Sequence, residues 1–266
     1  MLTRRDLAGF ILAAGGASAL APGAEAALRG HRPEIPLIMI DPGHGGHDPG
    51  CIAPDGVMEK TITLATGFAL RGALLRTRRV RVGMTRTRDV FVSLPDRVAM
   101  AVRAKAGLFI ALHCNFLSDS AMRGASVFTL SQKPSDALAA AVANTENSYD
   151  RAPLSPQYRG VSPEVAGILA SLTARATRIG SKHIARTLVD EFHDRILLLP
   201  DPDRSANFAV LRDPLIPSTL IEMGCLSNSL DTNLLRTPAY RALLAQRMTS
   251  AVTRWMTHNQ VIGVAG

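Results

Sequence analysis

Aromatic residues are scarce in this sequence. They make up 5% of its 266 residues, and there is a single tryptophan. A surface that binds nucleic acid by stacking bases needs several exposed aromatic rings, so nucleic acid is a poor candidate partner. The sequence also lacks internal repeats, low-complexity tracts and an HExxH motif. Repeat architectures and the helix-borne zinc protease motif are therefore excluded.

Cysteines are also few. Cys51, Cys114 and Cys225 are odd in number and form no CxxC pair, which excludes a disulfide-stapled scaffold and a CxxC zinc site. A chain of this length with 47% hydrophobic residues can instead build one sizeable domain around its own core. We expect at least one thiol to stay unpaired, and buried cysteines to be inert core residues.

No apolar run near the amino terminus reaches the roughly 20 residues that a membrane-spanning helix needs. Arg4 and Arg5 precede a shorter apolar run over 7–20, and small residues follow at Ala24 and Ala26. This pattern resembles a twin-arginine export signal over residues 1–26. It predicts a periplasmic protein without a stable membrane anchor.

Positive charge exceeds negative charge, with a formal net charge of +8. Charges within residues 1–26 cancel, so the excess belongs to the remainder of the chain. A basic exported protein is attracted to anionic polymers of the envelope, such as peptidoglycan with its free carboxylates, or to phospholipid headgroups.

Two predicted strands each deliver a histidine to a carboxyl end. The apolar run 37–40 ends at Asp-Pro-Gly and leads to His44, which lies between glycines with Asp41 and Asp48 near enough to orient it. The apolar run 107–112 leads to His113. Ligands bind at the carboxyl ends of strands in open α/β sheets, so two histidines there favour a metal site. The alternative for His44 is a Gly/Pro-rich turn with an incidental histidine.

Carboxylates supply the other candidate ligands. A helix predicted over 57–75 carries Glu59 in its first turn, where a helix cap is the alternative role. A strand predicted over 217–221 ends at Glu222. Another helix, opened by Ser93, carries Arg97, which either binds a carboxylate of the substrate or forms an ion pair with Asp89 or Asp96.

The remaining patterns complete a prediction of fold. Strands are expected at 80–85, 125–130 and 208–211, and helices at 137–144, 163–177, 179–192 and 238–255, with residues 131–205 mostly helical. Alternating strands and helices predict an α/β fold: a single mixed or mostly parallel twisted sheet with helices on both faces, plus a helical insert near the active site.

Together His44, Glu59 and His113 form the usual two-histidine, one-carboxylate set of a catalytic zinc site. Glu222 is left as a base and then an acid toward a leaving amine, or as a structural carboxylate that holds a loop. The residues predict a metal hydrolase. Mixed nitrogen and oxygen ligands also accept Mn, Co or Fe, so the donor set alone does not select the metal.

The motifs also resemble a known family. The segments 41–50 (DPGHGGHDPG), 59–60 (EK), 85–97 (TRTRD followed by LPDR), 109–115 (FIALHCN) and 220–228 (LIEMGCLSN) are similar, in order, to the zinc-dependent N-acetylmuramoyl-L-alanine amidases of the cell-division type. The similarity runs from about residue 37 to residue 257. Cys114 and Cys225 depart from the family pattern, which usually has a small residue and an aromatic residue at these positions.

This resemblance implies one Zn²⁺ per chain, held by His44, Glu59 and His113, with Glu222 as the catalytic acid/base. It implies hydrolysis of the amide between N-acetylmuramic acid and L-alanine of the peptidoglycan stem peptide, in cell-wall remodelling and daughter-cell separation. Asn115 and Arg97 are candidates for binding substrate. The competing functions are a zinc peptidase acting on the stem peptide and a catalytically inactive envelope-binding protein.

The resemblance also implies a division of the chain and a possible means of control. Residues 1–26 would be the signal, 27–35 a connector, 36–257 the catalytic domain and 258–266 a tail. In relatives with a long insert, here 131–205, a helix covers the zinc until a LytM-type activator withdraws it. Glu146 and Glu164 are the candidate occluding carboxylates, and the alternative is an insert that only thickens the fold.

Overall fold

The computed structural model describes residues 35–148 and 163–261, with side chains described outside 163–172 and 259–261. The strands are β1 Leu37–Pro42, β2 Arg81–Met84, β3 Leu108–Asn115, β4 Ala125–Leu130, β5 Leu198–Ala206 and β6 Ser218–Cys225. The helices are α1 Glu59–Arg76, α2 Leu94–Arg103, α3 Ala137–Ser148, α4 Pro163–Phe192, α5 Ser229–Arg236 and α6 Pro238–Val261, with a 3-10 turn at Ala209–Leu211. The predicted signal 1–26 lies outside the described residues.

The six strands form one sheet in the order β2-β1-β3-β6-β4-β5. All neighbouring pairs are parallel except β4 and β6, which are antiparallel. The prediction of a mixed α/β sheet is therefore confirmed. The carboxyl ends of β1, β3 and β6 meet at the same edge, which we call the carboxyl edge.

Alternating side chains build a hydrophobic core on each face. Ile38 and Ile40 join a cluster with residues of α1, α4 and α6, whereas Met39 between them joins a second cluster with residues of α2 and α3. Strand β3 is buried at all eight positions, as expected for a strand covered on both sides. No helix within the described ranges combines the length and apolarity needed to cross a membrane.

Two predicted elements differ from the structure. The two helices expected over 163–192 are one continuous helix, α4. Gly180, close to the expected break, lies inside this helix and allows close packing, since a Cβ there would lie 3.1 Å from Pro217. The strand expected over 208–211 is a 3-10 turn.

Strand β5 occupies the end of a region that we expected to be helical. Its segment LPDPDRSA includes two prolines and lacks apolar alternation, which conceals a strand in the sequence. Because β5 lies at an edge of the sheet, one side of its backbone needs no partner and the prolines are tolerated.

Candidate metal centre

Four side chains converge at the carboxyl edge: His44 from the loop after β1, Glu59 from the first turn of α1, His113 from β3 and Glu146 from α3. One ligand atom from each lies within 4.8 Å of the others. Three of the residues are those predicted as zinc ligands. The fourth, Glu146, is one of the two predicted occluding carboxylates.

The contacts within this cluster are short. His44 Nε2 lies 3.0 Å from Glu59 Oε2 and 3.5 Å from Glu146 Oε2. His113 Nδ1 lies 2.9 Å from Glu146 Oε2 and 3.2 Å from Glu59 Oε1. The two imidazole rings meet edge to face with centroids 4.9 Å apart. Both histidines thus aim one ring nitrogen at the same small volume.

Residues outside the cluster orient its members. His44 Nδ1 donates to Asp48 Oδ2 at 2.8 Å, which leaves Nε2 directed at the cluster. The carboxylate of Glu59 accepts the backbone N–H of Cys51 at Oε2 (3.0 Å) and that of Cys114 at Oε1 (2.9 Å). Asp48 therefore has the orienting role that the sequence predicts, and the cysteines contribute backbone rather than sulfur.

Two glycines make room for the cluster. A Cβ on Gly43 would lie 2.3–2.8 Å from atoms of the His113 ring. A Cβ on Gly50 would lie 2.6 Å from Glu59 Oε2, and Gly50 also has φ +66°, a conformation that favours glycine. Gly43 and Gly50 are thus explained by the approach of imidazole and carboxylate to the backbone.

The electrostatics are those of a cation site. Burial lowers the pKa of His44, but Glu59, Asp48 and Glu146 outweigh this effect and raise it to about 10. Burial also lowers the pKa of His113, but Glu146 and Glu59 outweigh this effect and raise that pKa well above its usual value. Burial raises the pKa of Glu59, but the two histidines outweigh this effect and hold that pKa well below its usual value. Without a metal, protons on the imidazoles balance the carboxylates.

Glu222 lies beside this cluster on β6. Its Cα is the register partner of the His113 Cα. The residue is fully buried, and neither carboxylate oxygen has a hydrogen-bond partner among the described residues. Burial first, then repulsion from Glu146 and Glu59, raises its pKa well above the usual value. Such a carboxyl group is suited to exchanging a proton with a reactant.

Arg97 and Asp41 support the loop rather than facing outward. Arg97 Nη1 donates to Asp41 Oδ1 at 2.7 Å and to Pro42 O, while Nη2 donates to His44 O at 2.8 Å. Asp41 was predicted to orient His44, and the structure shows it paired with Arg97, through which it supports the loop that carries His44. The predicted ion pairs of Arg97 with Asp89 or Asp96 are also replaced by this buried pair.

A second arginine, which the sequence interpretation missed, joins the loop to helix α1. Arg86 donates to Pro42 O at 2.8 Å, to Gly43 O at 2.9 Å and to Lys60 O at 2.8 Å. It thereby fixes the backbone that carries His44 relative to the helix turn that carries Glu59. The only signal in the sequence was a charged segment at 86–89, and an exposed loop would have the same composition.

The remaining predicted residues have separate positions. Asn115 is buried at the end of β3, where its Nδ2 lies 3.4 Å from Ser126 Oγ and its Oδ1 has no partner among the described residues. The side chain of Glu164 lies outside the described residues. All three cysteines are free thiols, and Cys51 Sγ donates to Cys114 O at 3.3 Å.

The donor set fits a zinc ion. Two imidazole nitrogens and carboxylate oxygens, closely spaced and buried, match the ligand types of catalytic zinc sites, and the bond from Asp48 to His44 is the usual outer support of such a ligand. The fold and this cluster define an α/β protein with a candidate metal centre of the hydrolase type. Residues 38–254 match the family described as N-acetylmuramoyl-L-alanine amidase, and the chain belongs to this family.

Individual relatives agree with this assignment. The chain is 34% identical over 229 residues to N-acetylmuramoyl-L-alanine amidase AmiC of Neisseria meningitidis serogroup B, covering 86% of this chain and 54% of that protein. It is 34% identical over 228 residues to AmiA of Salmonella typhimurium, covering 81% and 74%. The chain thus spans about half the length of the Neisseria relative.

A solved structure shows the same fold. The crystal structure of N-acetylmuramoyl-L-alanine amidase from Clostridium difficile 630 has a TM-score of 0.60 and 22% identity to this chain. The match covers 84% of this chain and 97% of that one. The predicted family resemblance is confirmed.

Proposed function

We propose that this protein hydrolyses the amide between N-acetylmuramic acid and L-alanine of the peptidoglycan stem peptide. The observation that carries the proposal is the convergence of His44, Glu59 and His113 beside the buried carboxyl group of Glu222, in a chain of the amidase family. Peptidoglycan would be the substrate. The biological setting would be cell-wall remodelling and daughter-cell separation.

We assign one Zn²⁺ to His44 Nε2, His113 Nδ1 and Glu59. When bound, the ion would polarise the scissile carbonyl and lower the pKa of a bound water from about 16 to roughly 7. The chain's own contribution is to hold these three side chains rigidly through Asp48, the backbone N–H groups of Cys51 and Cys114, and the close contact of His113 with Gly43.

Glu222 would move the proton. A carboxylate oxygen of Glu222 takes a proton from the attacking water and returns it to the nitrogen of L-alanine as that amine leaves. Because both oxygens lack other partners among the described residues, they are available for this exchange. The raised pKa makes the ionised carboxylate a stronger base toward that water. Asn115 remains a proposed contact for the substrate. Arg97 is kept as a second candidate, to be tested against its observed role in holding the loop through Asp41, Pro42 O and His44 O.

We further propose that Glu146 inhibits the enzyme. Its carboxylate lies 2.9 Å from His113 Nδ1, so it would take the fourth position around an ion held by His44, Glu59 and His113, where a substrate carbonyl or a water would otherwise bind. The carboxylate is carried by α3, which belongs to the predicted insert 131–205. A LytM-type activator would withdraw this helix. Glu164 stays a second candidate.

Location follows from the amino-terminal sequence. Residues 1–26 are proposed as a twin-arginine export signal, 27–35 as a connector, 36–257 as the catalytic domain and 258–266 as a tail. The protein would act in the periplasm.

The deciding experiment is digestion of purified peptidoglycan by residues 27–266, loaded with Zn²⁺ or treated with a chelator, with fragments identified by mass. An amidase, either as it stands or freed from inhibition by Glu146→Ala, releases whole stem peptides that begin with L-alanine, and only when loaded with zinc. Alanine left on the sugar would identify a peptidase instead. If a Glu146→Ala variant also released nothing, the protein would be a binding protein rather than a self-inhibited enzyme.

A further inference from the structure

A second surface lies at the opposite edge of the sheet, where β1, β2 and β3 begin. Arg81 pairs with Leu37, and the backbone of Gly107 donates to Leu37 O at 2.8 Å, so the three strand starts are adjacent. Helices α1 and α2 end next to them, at Arg76 and Arg103. We call this surface the basic edge. Its exposed cations are Arg76, Arg78, Arg79, Arg81, Arg103 and Lys105.

Within the described residues, no carboxylate compensates the charge of the basic edge; Glu34, which precedes Ile35, lies outside them. The segments 71–82 and 101–107 contain no acidic residue. Among the described side chains, none of the six cations lies within 4.0 Å of a carboxylate, although acidic partners neutralise several other arginines of this protein. Six adjacent unpaired charges create a strong positive potential at this edge.

The backbone indicates that these cations serve more than local structure. Arg78 and Lys105 follow the last turns of α1 and α2 with φ of +55° and +51°. Glycine is the usual residue at this position, because a side chain in the left-handed conformation is strained. Favourable interaction with a helix dipole needs only the cations already in the last turns, Arg76 and Arg103. Two further cations at strained positions are therefore unexplained by folding.

Apolar side chains stand among the charges. Ile35, Leu75 and Val102 are 52%, 40% and 39% exposed, and they lie immediately before β1 and in the last turns of α1 and α2. Basic residues interspersed with exposed aliphatic residues are typical of proteins that lie on a lipid surface, where the cations meet headgroups and the aliphatic groups enter the acyl boundary. A carbohydrate polymer offers no such apolar layer.

We propose that the basic edge is a docking surface for an anionic phospholipid membrane. It lies about 25 Å from the metal centre, the length of the eight residues of β3, so it cannot form part of the substrate site. Docking would turn the carboxyl edge away from the membrane. If the proposed function holds, the metal centre then faces the cell wall, but the surface itself does not depend on that function.

The test measures sedimentation of residues 27–266 with vesicles of phosphatidylcholine alone, or with roughly one third phosphatidylglycerol. This part of the chain contains both hydrophobic clusters whole. We expect binding only to the anionic vesicles, and weakening between about 0.1 and 1 M salt because surface charges are then screened. The readout does not involve hydrolysis, so it is independent of the proposed function.

The decisive variant is Arg78→Gly with Lys105→Gly. We expect the vesicle partition coefficient to fall on the order of thirtyfold, from two lost contacts with anionic lipid. The melting temperature should not fall, since glycine relieves the left-handed strain. The matched control is Arg178→Gln with Arg195→Gln, which removes the same charge from exposed positions elsewhere and should change binding less than about threefold.

Two results would overturn the proposal. Equal losses for the two double variants would show that net charge, not this surface, drives adsorption. Retention on isolated cell-wall polymer with no vesicle binding, lost in the Arg78→Gly, Lys105→Gly variant, would assign the basic edge to a wall polyanion instead.

Discussion

His113 and Glu222 are register partners on the adjacent parallel strands β3 and β6. Partners in a ladder point to the same face of the sheet, so the imidazole and the carboxyl group stand side by side at the carboxyl edge. The residues two positions before His113 and Glu222 identify this face of the sheet. Ala111 and Leu220 pack in the cluster formed with α2 and α3. Glu146 of α3 reaches the centre from this same face.

The first prediction concerns Glu222→Gln, which keeps the shape of the side chain but removes the exchangeable proton. Measured in the Glu146→Ala background, where the proposed inhibition is removed, hydrolysis of peptidoglycan should fall by at least about 100-fold, the usual contribution of a general acid/base. Zinc content, measured by elemental analysis, should stay at one ion per chain. Loss of zinc together with activity would instead make Glu222 a structural or metal-binding residue.

The second prediction concerns Glu146→Ala, which removes the carboxylate from the fourth position while leaving His44, Glu59 and His113 in place. Hydrolysis without any activator should rise, and zinc should be retained. The matched control is Glu191→Ala, an acidic residue that pairs with Arg254 away from the site, and it should leave hydrolysis unchanged. A fall in both zinc affinity and activity of Glu146→Ala would mean that this residue is a permanent ligand.

The sequence and the structure agree best where a residue ends a regular element. His44 and His113 follow apolar runs that predict buried strands, and parallel strands bring their carboxyl ends together. No such signal indicated the position of Glu146. Helix α3 lies more than 30 residues after His113 in the sequence, and only tertiary packing brings it to the cluster. Arg86 and Arg97 were also ambiguous: the sequence shows their charge but not that backbone carbonyls surround them.

The third prediction uses Gly43→Ala. The new methyl group would overlap the His113 ring, with built distances of 2.3–2.8 Å, and must displace it. We expect zinc affinity, measured by competition with a chelator, to fall by about 10–100-fold, the range for disturbed support of a ligand. Gly72→Ala is the matched control. Only Arg76 Nη1 lies near its new methyl group, at 3.6 Å, so it should leave zinc binding unchanged and stabilise helix α1 by about 0.5–1 kcal/mol.

The fourth prediction separates the two roles considered for Arg97. Arg97→Ala would leave the buried carboxylate of Asp41 without its cation, which costs about 3–5 kcal/mol in the free energy of unfolding, measured with urea. The double variant with Asp41→Asn should recover part of this loss. A higher KM with unchanged stability would instead support direct contact between Arg97 and the substrate.

The last prediction concerns the protein stripped of metal. The pKa of His44 is raised to about 10 in the folded chain, from an ordinary value near 6.5, so the protonated ring stabilises the fold fully below pH 6.5 and progressively less as the pH rises toward 10. The free energy of unfolding of the chelated protein should therefore decrease over this range, by at most about 1.4 kcal/mol per pH unit for each proton lost. Zinc affinity should increase over the same range, because protons compete with the ion for the imidazole.

Histidine variants provide the control for this pH dependence. His44→Gln should reduce the decrease in the metal-free protein to the part contributed by His113, whereas His193→Gln, at an exposed position, should leave it intact. Zinc-loaded protein should show no comparable decrease, since the bound ion replaces the proton as the partner of Glu59 and Glu146. A decrease of equal slope in His44→Gln would place the titrating group elsewhere, and His113 would be the next residue to replace, because its pKa is raised by the same carboxylates.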